Sequence, residues 1–186
     1  MWSAEFLAAA CAAQLRAVNR GAIFSSVSID TRTLQSGALY VALRGASFDG
    51  HRFIEQALQR GASGVLVAEP VQVPEAVAVM QVSDTLLALQ MMGRAARRQF
   101  TGPLIAVTGS NGKTTTRQLI ASVLRAHFGD AAVLCTEGNY NNHIGVPLTL
   151  LRLCPHHRAA VIEMGMNHFD ELTLLTCLAT PDVAVI

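Results

Sequence analysis

Charged residues are scarce in this sequence, and neither sign of charge dominates. Charged residues make up 15% of the 186 positions, and fourteen basic against thirteen acidic residues give a net charge of +1. A near-neutral chain of this kind is not expected to bind nucleic acid through a basic face. The hydrophobic fraction of 51% excludes intrinsic disorder, which requires low hydrophobicity together with high net charge.

Long apolar runs and cysteine pairs are missing as well. No apolar run approaches the roughly 18 residues that a membrane-spanning helix needs, so we expect no membrane insertion. The four cysteines are scattered and form no Cys-x-x-Cys motif. This pattern fits a reducing compartment better than a disulfide-bonded secreted domain. The composition therefore predicts a cytoplasmic protein with a hydrophobic core and no nucleic-acid partner.

The sequence divides into two α/β segments joined by a helix. We predict a first domain over residues 1–83, a connecting helix over 84–101 and a second domain over 102–186. In the second segment apolar strands alternate with helices, which predicts a parallel sheet with helices on both faces. In the first segment, Ser3 is expected to cap a helix that continues to about Leu15. The predicted fold class is α/β.

The chain contains a single lysine, and its surroundings are informative. Thirteen of the fourteen basic residues are arginine, and the remaining one, Lys113, lies in the run TGSNGKTTT between an apolar strand and an amphipathic helix. This context predicts a phosphate-binding loop. Gly109 and Gly112 let successive backbone N–H groups face one anion, and the start of the helix adds its positive dipole end. We expect Lys113 to bridge the β- and γ-phosphates of ATP, and the Thr114 hydroxyl to bind Mg²⁺.

Glu163 ends an apolar strand and is followed by Met164 and Gly165. A carboxylate at a buried strand end is costly unless it is paired or binds a metal. The carboxyl ends of parallel strands share one edge of a sheet, so Glu163 should lie near the phosphate-binding loop. We therefore predict that Glu163 is a Mg²⁺ ligand that acts together with Thr114.

An asparagine-rich loop over 137–147 follows the second strand of this segment, at the same edge of the predicted sheet. Asparagine amides can contact phosphate and sugar oxygens, but asparagine with glycine also forms ordinary tight turns, so both readings stay open. His156 and His157, beside a proline, are interpreted as part of a surface turn. His168, near the start of the next helix, is a further candidate site residue.

These motifs resemble the Mur ligase family. The second segment carries TGSNGKTTT (108–116), GNYNNHIGVPLTLL (138–151) and EMG (163–165). The first segment carries SIDTR (28–32), ALRG (42–45) and DGHRF (49–53), which resemble the family's UDP-binding N-terminal domain. The asparagine-rich loop narrows the resemblance to the branch that joins D-alanyl-D-alanine to UDP-N-acetylmuramoyl-tripeptide in peptidoglycan synthesis. The resemblance covers essentially the whole chain.

The resemblance implies an ATP-dependent, ADP-forming ligase that uses Mg²⁺ and proceeds through an acyl phosphate. It implies a small UDP-binding α/β domain followed by the first part of a P-loop ATPase domain with a parallel sheet. The residues then expected to bind ATP are Gly109, Ser110, Asn111, Gly112, Lys113, Thr114 and Thr115. Lys113 and Glu163 would be catalytic, and Thr114 and Glu163 would ligate the metal. The residues expected to bind the UDP-linked substrate are Asp30, Thr31, Arg32, Gly45, Asp49, Gly50, His51, Asn139 and Asn142.

Two departures from the family pattern affect these expectations. Asp170 stands where the family commonly has glycine, which leaves the role of His168 open. The sequence also ends on an apolar strand, and the family's later metal ligands, adenine contacts and C-terminal domain would lie beyond Ile186. We therefore expect a fragment of a longer protein, monomeric, that does not catalyse ligation by itself.

Other functions remain compatible with these motifs. A sister ligase shares the phosphate-binding loop, whether a Mur ligase that adds meso-diaminopimelate or lysine or an enzyme of the folylpolyglutamate synthetase type. A non-catalytic module that binds a nucleotide or a UDP-sugar is the alternative from another functional class. The asparagine-rich loop and the segment Asp30-Thr31-Arg32 favour the first interpretation.

Overall fold

The computed structural model describes residues 1–15, 21–45 and 48–186. These residues form two units, Met1–Met92 and Gly93–Ile186. The boundary between the units lies inside one continuous helix, Thr85–Gln99. The division at residues 83 and 101 stays a prediction. Among the described residues, no helix combines the length and the apolar character that are needed to cross a bilayer.

Short strands alternate with helices in the first unit. Its helices are α1 (Ala4–Ala10), a 3-10 helix (Gly50–Phe53) and α2 (Ile54–Gln59), and α3 (Thr85–Gln99) begins in it. Its strands are β1 (Trp2–Ser3), β2 (Gln14–Leu15), β3 (Ile23–Phe24), β4 (Val27–Ser28), β5 (Leu39–Val41), β6 (Gly64–Val67) and β7 (Ala78–Gln81). The main sheet has the order β2-β7-β6-β5-β4 and is parallel except for β2, which pairs antiparallel with β7. Strands β1 and β3 form a separate antiparallel ribbon.

Helix α1 is shorter than the sequence predicts. Ser3 does cap it, because its Oγ accepts a hydrogen bond from the N–H of Phe6 at 3.2 Å. The helix ends at Ala10 rather than near Leu15, since Ala12 has a φ of 52° and the chain then enters strand β2. The prediction of the longer helix is therefore wrong: pairing of β2 with β7 overrides the local helical preference.

The second unit is built on a parallel sheet. Its strands are β8 (Leu104–Val107), β9 (Val133–Cys135), β10 (Ala159–Glu163) and β11 (Val183–Val185), in the order β11-β8-β10-β9. Its helices are α4 (Lys113–Phe128), a 3-10 helix (Asp130–Ala132), α5 (Gly145–Leu150) and α6 (Glu171–Ala179). Every pairing between these strands is parallel, which confirms the predicted α/β fold with a parallel sheet.

Alternate residues of these strands enter two different hydrophobic clusters. One cluster joins Leu104 and Ile162 to residues of α5 and α6. The other joins Val107 and Val161 to residues of α4. Because successive side chains of a strand point to opposite faces, the sheet is covered by helices on both sides. Its carboxyl-terminal edge then remains for the loops that follow β8, β9 and β10.

Arg97, near the end of α3, is buried and ties together separate segments of the second unit. Its guanidinium donates to the carbonyl oxygens of Phe100 and Ala179, both at 2.9 Å, and of Thr180 at 3.0 Å. It also forms an ion pair with Asp182 at 2.9 Å. The same carboxylate accepts a hydrogen bond from the N–H of the first residue of β8 at 2.8 Å. One cation thus satisfies the carbonyl groups at the end of α6 and anchors the entry to β11.

We expect Arg97→Ala to lower the free energy of unfolding by about 3 kcal/mol, because buried carbonyl groups that lose their donor cost about 1–3 kcal/mol each. The matched control is Arg98→Ala at the exposed neighbouring position, which should change stability by no more than about 0.5 kcal/mol. Urea unfolding followed by far-ultraviolet circular dichroism measures both. Equal stability of the two variants would contradict this account of Arg97.

Candidate active site

The loop between β8 and α4, residues 108–112, has a backbone that depends on glycine. Gly109 has a φ of 133° and Gly112 a φ of 77°. Residues other than glycine rarely adopt such angles, because their Cβ would clash with the backbone. No described atom lies within 4 Å of a Cβ placed on Gly112, so the backbone angle rather than crowding requires glycine there. Helix α4 begins directly after this residue. The unpaired N–H groups and the positive dipole end of a 16-residue helix therefore open onto the loop.

Lys113 folds back over this loop. Its Nζ donates a hydrogen bond to the carbonyl oxygen of Gly109 at 2.6 Å and lies 3.4 Å from that of Ser110. An ammonium group has three N–H bonds, so these two contacts leave one donor for a ligand. The positive charge is held beside the start of α4, where a polyphosphate could contact both.

A buried carboxylate faces the start of α4. Glu163, the last residue of β10, is 2% exposed and pairs in register with Val107 at the end of β8. Its Oε2 accepts a hydrogen bond from the hydroxyl of Thr114 at 3.1 Å, and its Oε1 accepts one from the side-chain amide of Asn141 at 2.9 Å. The structure thus brings Thr114 and Glu163 together. Hydroxyl and carboxylate oxygens are ligands that Mg²⁺ prefers.

Arg117 and Asn141 surround this carboxylate, and the sequence predicts neither. Nη1 of Arg117 lies 3.4 Å from Oε2 of Glu163 and donates to the carbonyl oxygen of Gly138 at 3.1 Å. Its Nε is buried without a hydrogen-bond partner among the described residues. Arg117 follows Thr114 by three positions on α4, a spacing that places both on one helix face and could have indicated it. For Asn141 no such signal exists, because the loop holds several asparagines.

The other asparagines of the loop have different surroundings. Oδ1 of Asn142 accepts hydrogen bonds from the N–H groups of Ile144 at 3.1 Å and Gly145 at 2.8 Å, at the start of α5. A Cβ on Gly145 would overlap with the backbone of Tyr140, so only glycine fits where the loop closes on itself. Asn139 is exposed. Contact of Asn139 or Asn142 with a substrate stays a prediction.

In the first unit, Asp30 and Arg32 form an ion pair after β4. Nη2 of Arg32 lies 2.6 Å from Oδ2 of Asp30, and its Nε lies 2.9 Å from Oδ1. The hydrogen bonds from Arg32 lower the pKa of Asp30. Thr31 between them is buried, and its hydroxyl donates to Oε1 of Gln56 at 2.6 Å. The segment therefore presents the two charged side chains outward, while Thr31 anchors it to α2.

Asp49 and His51 fix one another at the start of the first 3-10 helix. Oδ1 of Asp49 accepts hydrogen bonds from the backbone N–H of His51 at 3.0 Å and from its Nδ1 at 2.7 Å. Nε2 of His51 accepts a hydrogen bond from the N–H of Ala68 at 2.9 Å, so a neutral ring carries its proton on Nδ1. The two hydrogen bonds that Asp49 accepts from His51, above all the one from the backbone N–H, lower the pKa of Asp49 to about 2.

Gly50 lets this segment approach its own chain. The N–H of Gly50 donates to the carbonyl oxygen of Leu43 at 2.7 Å, and a Cβ on Gly50 would lie 2.8 Å from the backbone of Leu43. The N–H of Gly45 donates to the carbonyl oxygen of Phe48 at 2.8 Å. Gly50 therefore cannot be replaced without moving the turn that carries Asp49.

The buried hydroxyl of Tyr40 links the two segments of this unit. It donates to the carbonyl oxygen of Gly50 at 3.0 Å. Burial, together with the charges of Asp30 and Asp49, raises the pKa of Tyr40 to about 12. Tyr40 also pairs in register with Ser28 of β4, the strand that precedes Asp30. It therefore bonds to the segment of Asp49 and adjoins the strand that leads to Asp30.

Asp49, His51 and Glu69 place possible metal-ligating atoms within 4.8 Å of one another. However, Nη2 of Arg44 pairs with Asp49 at 3.0 Å and with Glu69 at 3.1 Å. Both ring nitrogens of His51 are already used. The cluster is therefore an ion-pair network around a guanidinium rather than a metal centre.

Comparisons with known proteins identify the family of this chain. The family model of the Mur ligase middle domain matches residues 107–186, and the model described as Mur ligase family, catalytic domain, matches residues 23–99. The chain belongs to the Mur ligase family. The resemblance inferred from the motifs is thereby confirmed, and the two matches include the phosphate-binding loop, Glu163 and the segments around Asp30 and Asp49.

Curated relatives of the chain within this family have more specific names. The chain is 50% identical over 163 residues to a UDP-N-acetylmuramoyl-tripeptide–D-alanyl-D-alanine ligase of Synechocystis sp.. The aligned region covers 87% of this chain and 35% of the relative. It is 41% identical over 163 residues to the ligase of the same name from Escherichia coli, covering 87% and 34%. The chain thus spans about a third of the length of the curated relatives that it matches.

Solved Mur ligase structures share the fold. A crystal structure of MurF from Acinetobacter baumannii superposes with a TM-score of 0.88 at 35% identity, covering 98% of this chain and 39% of that one. MurF from Thermotoga maritima in complex with ADP gives a TM-score of 0.71 at 29% identity, covering 84% and 36%. A 2,6-diaminopimelate ligase gives a TM-score of 0.56 at 18% identity, which shows the fold alone.

The departure from the Mur ligase pattern at Asp170 has a conformational explanation. Asp170 has a φ of 65°, which glycine adopts freely and aspartate tolerates better than most residues. After it, Oε2 of Glu171 accepts hydrogen bonds from the N–H groups of Asn167 at 2.6 Å and His168 at 3.2 Å. These bonds, the one from Asn167 first, lower the pKa of Glu171. A role of the His168 ring in catalysis stays a prediction.

The low pKa of Asp49 predicts how the stability of the first unit depends on pH. Its ordinary pKa of 3.8 falls to about 2 in the folded chain, so the ionised form stabilises the fold above pH 3.8 and this stabilisation is lost as the pH falls towards 2. Asp49→Asn should therefore be less stable than the parent at neutral pH, with a difference that shrinks below pH 3.8. Urea unfolding as a function of pH measures this difference. Glu75→Gln, at an exposed position of the same unit, is the control, and a gap for Asp49→Asn that does not change with pH would contradict the assignment.

Proposed function

We propose that this chain supplies the UDP-substrate-binding and ATP-binding parts of a ligase that joins D-alanyl-D-alanine to UDP-N-acetylmuramoyl-tripeptide. The contact between Thr114 and Glu163, beside Lys113 and the loop that precedes it, is the observation that carries the proposal. This contact places a hydroxyl and a carboxylate oxygen, both suitable as Mg²⁺ ligands, next to the proposed phosphate-binding loop. The relatives named for this reaction, at 41–50% identity, support the choice of substrates.

The proposed reaction has two steps. The γ-phosphoryl group of ATP is transferred to the terminal carboxylate of the tripeptide, which gives an acyl phosphate and ADP. The amine of D-alanyl-D-alanine then attacks the acyl carbon, loses a proton and displaces phosphate. Both steps bring anionic groups together, so the protein contributes mainly positioning and positive charge. The remaining N–H of Lys113 and the N–H groups at the start of α4 supply that charge to the phosphates of ATP.

The donor set at Glu163 fits Mg²⁺. Two adjacent ligands of an octahedral Mg²⁺, each about 2.1 Å from the ion, lie about 3 Å apart, and the Thr114 and Glu163 oxygens are 3.1 Å apart. When bound there, the ion would neutralise charge on the phosphate oxygens. Asn141 bonds to the other oxygen of Glu163, and Arg117 lies against Oε2 itself, so both orient the carboxylate. They are positioning residues in this proposal.

The first unit would hold the UDP end of the substrate. Arg32 is highly exposed, and with Asp30 it offers both a cation and hydrogen-bond acceptors to a nucleotide. Asp49 is kept ionised and held in place by His51. Residues 46 and 47, which follow Gly45 in the sequence, lie outside the described residues. A monomeric state, a cytoplasmic location and the lack of ligation by these 186 residues alone stay predictions.

Binding of ATP tests the role of the loop and of Glu163. In titrations of the chain with ATP, Lys113→Ala should weaken binding by at least about 10-fold, because a charge-assisted hydrogen bond contributes about 1.5–3 kcal/mol. Glu163→Gln should weaken binding of ATP in the presence of Mg²⁺ but change it little when Mg²⁺ is chelated. Arg125→Ala, a cation further along α4, serves as the control. Equal affinity of the parent and Lys113→Ala would refute the proposed loop function, and loss of affinity in Glu163→Gln without Mg²⁺ would refute the metal-ligand role.

Binding of the second substrate distinguishes the family members. Calorimetric titration with UDP-N-acetylmuramoyl-tripeptide in the absence of ATP should show saturable binding, while a folate should show none. Arg32→Ala should weaken this binding, and Arg60→Ala, at another exposed position of the first unit, should not. If a chain that binds ATP fails to bind the UDP compound, the proposed substrate is wrong, and the sister ligases become the better candidates.

A further inference from the structure

The turn between α5 and β10 brings one cysteine and two histidines together. Sγ of Cys154 lies 3.0 Å from Nδ1 of His157, and it lies 3.3 Å and 3.4 Å from Nδ1 and Nε2 of His156. Possible ligand atoms of all three side chains lie within 4.8 Å of one another. These residues belong to no part of the proposed ligase mechanism.

The backbone of this turn is fixed at both ends. The N–H of His157 donates to the carbonyl oxygen of Cys154 at 3.0 Å, which closes the turn, and the N–H of Arg158 donates to the carbonyl oxygen of Ala132 at 2.7 Å. Leu153, just before the turn, is 3% exposed and belongs to the hydrophobic core. The three side chains therefore converge from a turn that packing holds in place.

We propose that Cys154, His156 and His157 form a binding site for a transition-metal cation of the Zn²⁺ class. Zinc binds cysteine sulfur at about 2.3 Å and histidine nitrogen at about 2.0–2.1 Å in tetrahedral geometry, which puts the sulfur about 3.5 Å from each nitrogen. The sulfur–nitrogen distances of 3.0–3.4 Å around Cys154 are close to that value. Only one ring nitrogen of His156 can bind the ion, and both lie almost equally far from the sulfur, so the ring has to rotate to direct one of them at the ion.

The hydrogen bonds indicate which nitrogen of His157 binds the ion. Its Nδ1 accepts a hydrogen bond from the N–H of Cys154 at 3.2 Å, so this nitrogen carries a lone pair and no proton. This nitrogen also lies 3.0 Å from Sγ of Cys154. Because it has one lone pair, an ion bound there would replace the hydrogen bond from the Cys154 N–H. His156 is exposed, while Cys154 and His157 are half-buried. The site thus offers three protein ligands and an accessible fourth position that water can fill, as in open zinc sites.

This site is separate from the one at Glu163. The turn lies just before β10, and Glu163 is the last residue of β10. The two sites therefore lie at opposite ends of a strand about 13 Å long. Their donors also differ in chemistry. Sulfur and imidazole nitrogen favour zinc and similar cations, whereas hydroxyl and carboxylate oxygens favour magnesium. The two sites can therefore be tested independently, and a failure of one leaves the other unaffected.

Titration with zinc alone tests the proposal. The reduced, metal-free chain should bind Zn²⁺ at one saturable site, and Cys154→Ser should weaken that binding by at least about 10-fold, since even outer partners of a metal site contribute about 10–100-fold. Cys177→Ser, which removes an exposed cysteine of α6 in the same unit, should bind zinc like the parent. Circular dichroism establishes that both variants are folded. Binding that does not saturate, or equal affinity of parent and Cys154→Ser, would overturn the site.

Cobalt provides a readout on the parent chain that needs no variant. Co²⁺ bound at this site should give the intense near-ultraviolet charge-transfer absorption of a cobalt–thiolate bond. It should also give the visible bands of tetrahedral cobalt, and Zn²⁺ should displace both signals. His157→Ala should reduce the affinity for cobalt. Cobalt that binds without the thiolate absorption would show that Cys154 is not a ligand, and the turn would then be an ordinary surface turn.

Discussion

The buried carboxylate of Glu163 is the constraint on which the candidate active site depends. A charged group that is 2% exposed costs several kcal/mol in desolvation unless hydrogen bonds and opposite charge offset that cost. The offset comes from a hydroxyl and a guanidinium on α4 and from an amide in the asparagine-rich loop. Since these groups belong to two different segments, satisfying one carboxylate draws the helix start and the loop to the same strand end. The site is therefore assembled by the need to compensate a single charge.

The parallel sheet makes this convergence possible. Strands β8 and β10 are neighbours, and their register sets Glu163 beside the last residue before the phosphate-binding loop. The backbone N–H of Glu163 donates a hydrogen bond to the hydroxyl oxygen of Thr136, the residue that follows β9. Three adjacent strand ends thus contribute to one edge. Because parallel strands all present their carboxyl ends there, ligands of such sheets bind at that edge.

The first unit uses charge in a different way. Asp30 and Asp49 are partly exposed, and local hydrogen bonds lower the pKa of each carboxyl group: those from Arg32 for Asp30, and those from His51 and Arg44 for Asp49. Such bonds need little burial and span few residues. They hold the side chains in fixed orientations at the surface, which suits recognition of a polar nucleotide group. The second unit instead buries its key charge and relies on tertiary contacts to support it.

The sequence by itself determined the elements whose cause is local. The glycines with positive φ, the lysine that follows them and the apolar strand ending in Glu163 are all set within a few residues, so the α/β fold and the glycine-dependent loop before α4 could be predicted. The tertiary structure alone decided which distant groups meet. Asn141 contacts Glu163 across 22 residues, Arg117 reaches the same carboxylate, and α1 ends early because β2 pairs with β7. The cysteine and histidines at 154–157 are neighbours in sequence, but the direction of their side chains depends on how the turn is anchored. Such contacts follow from strand register and packing, which local patterns of residues do not specify.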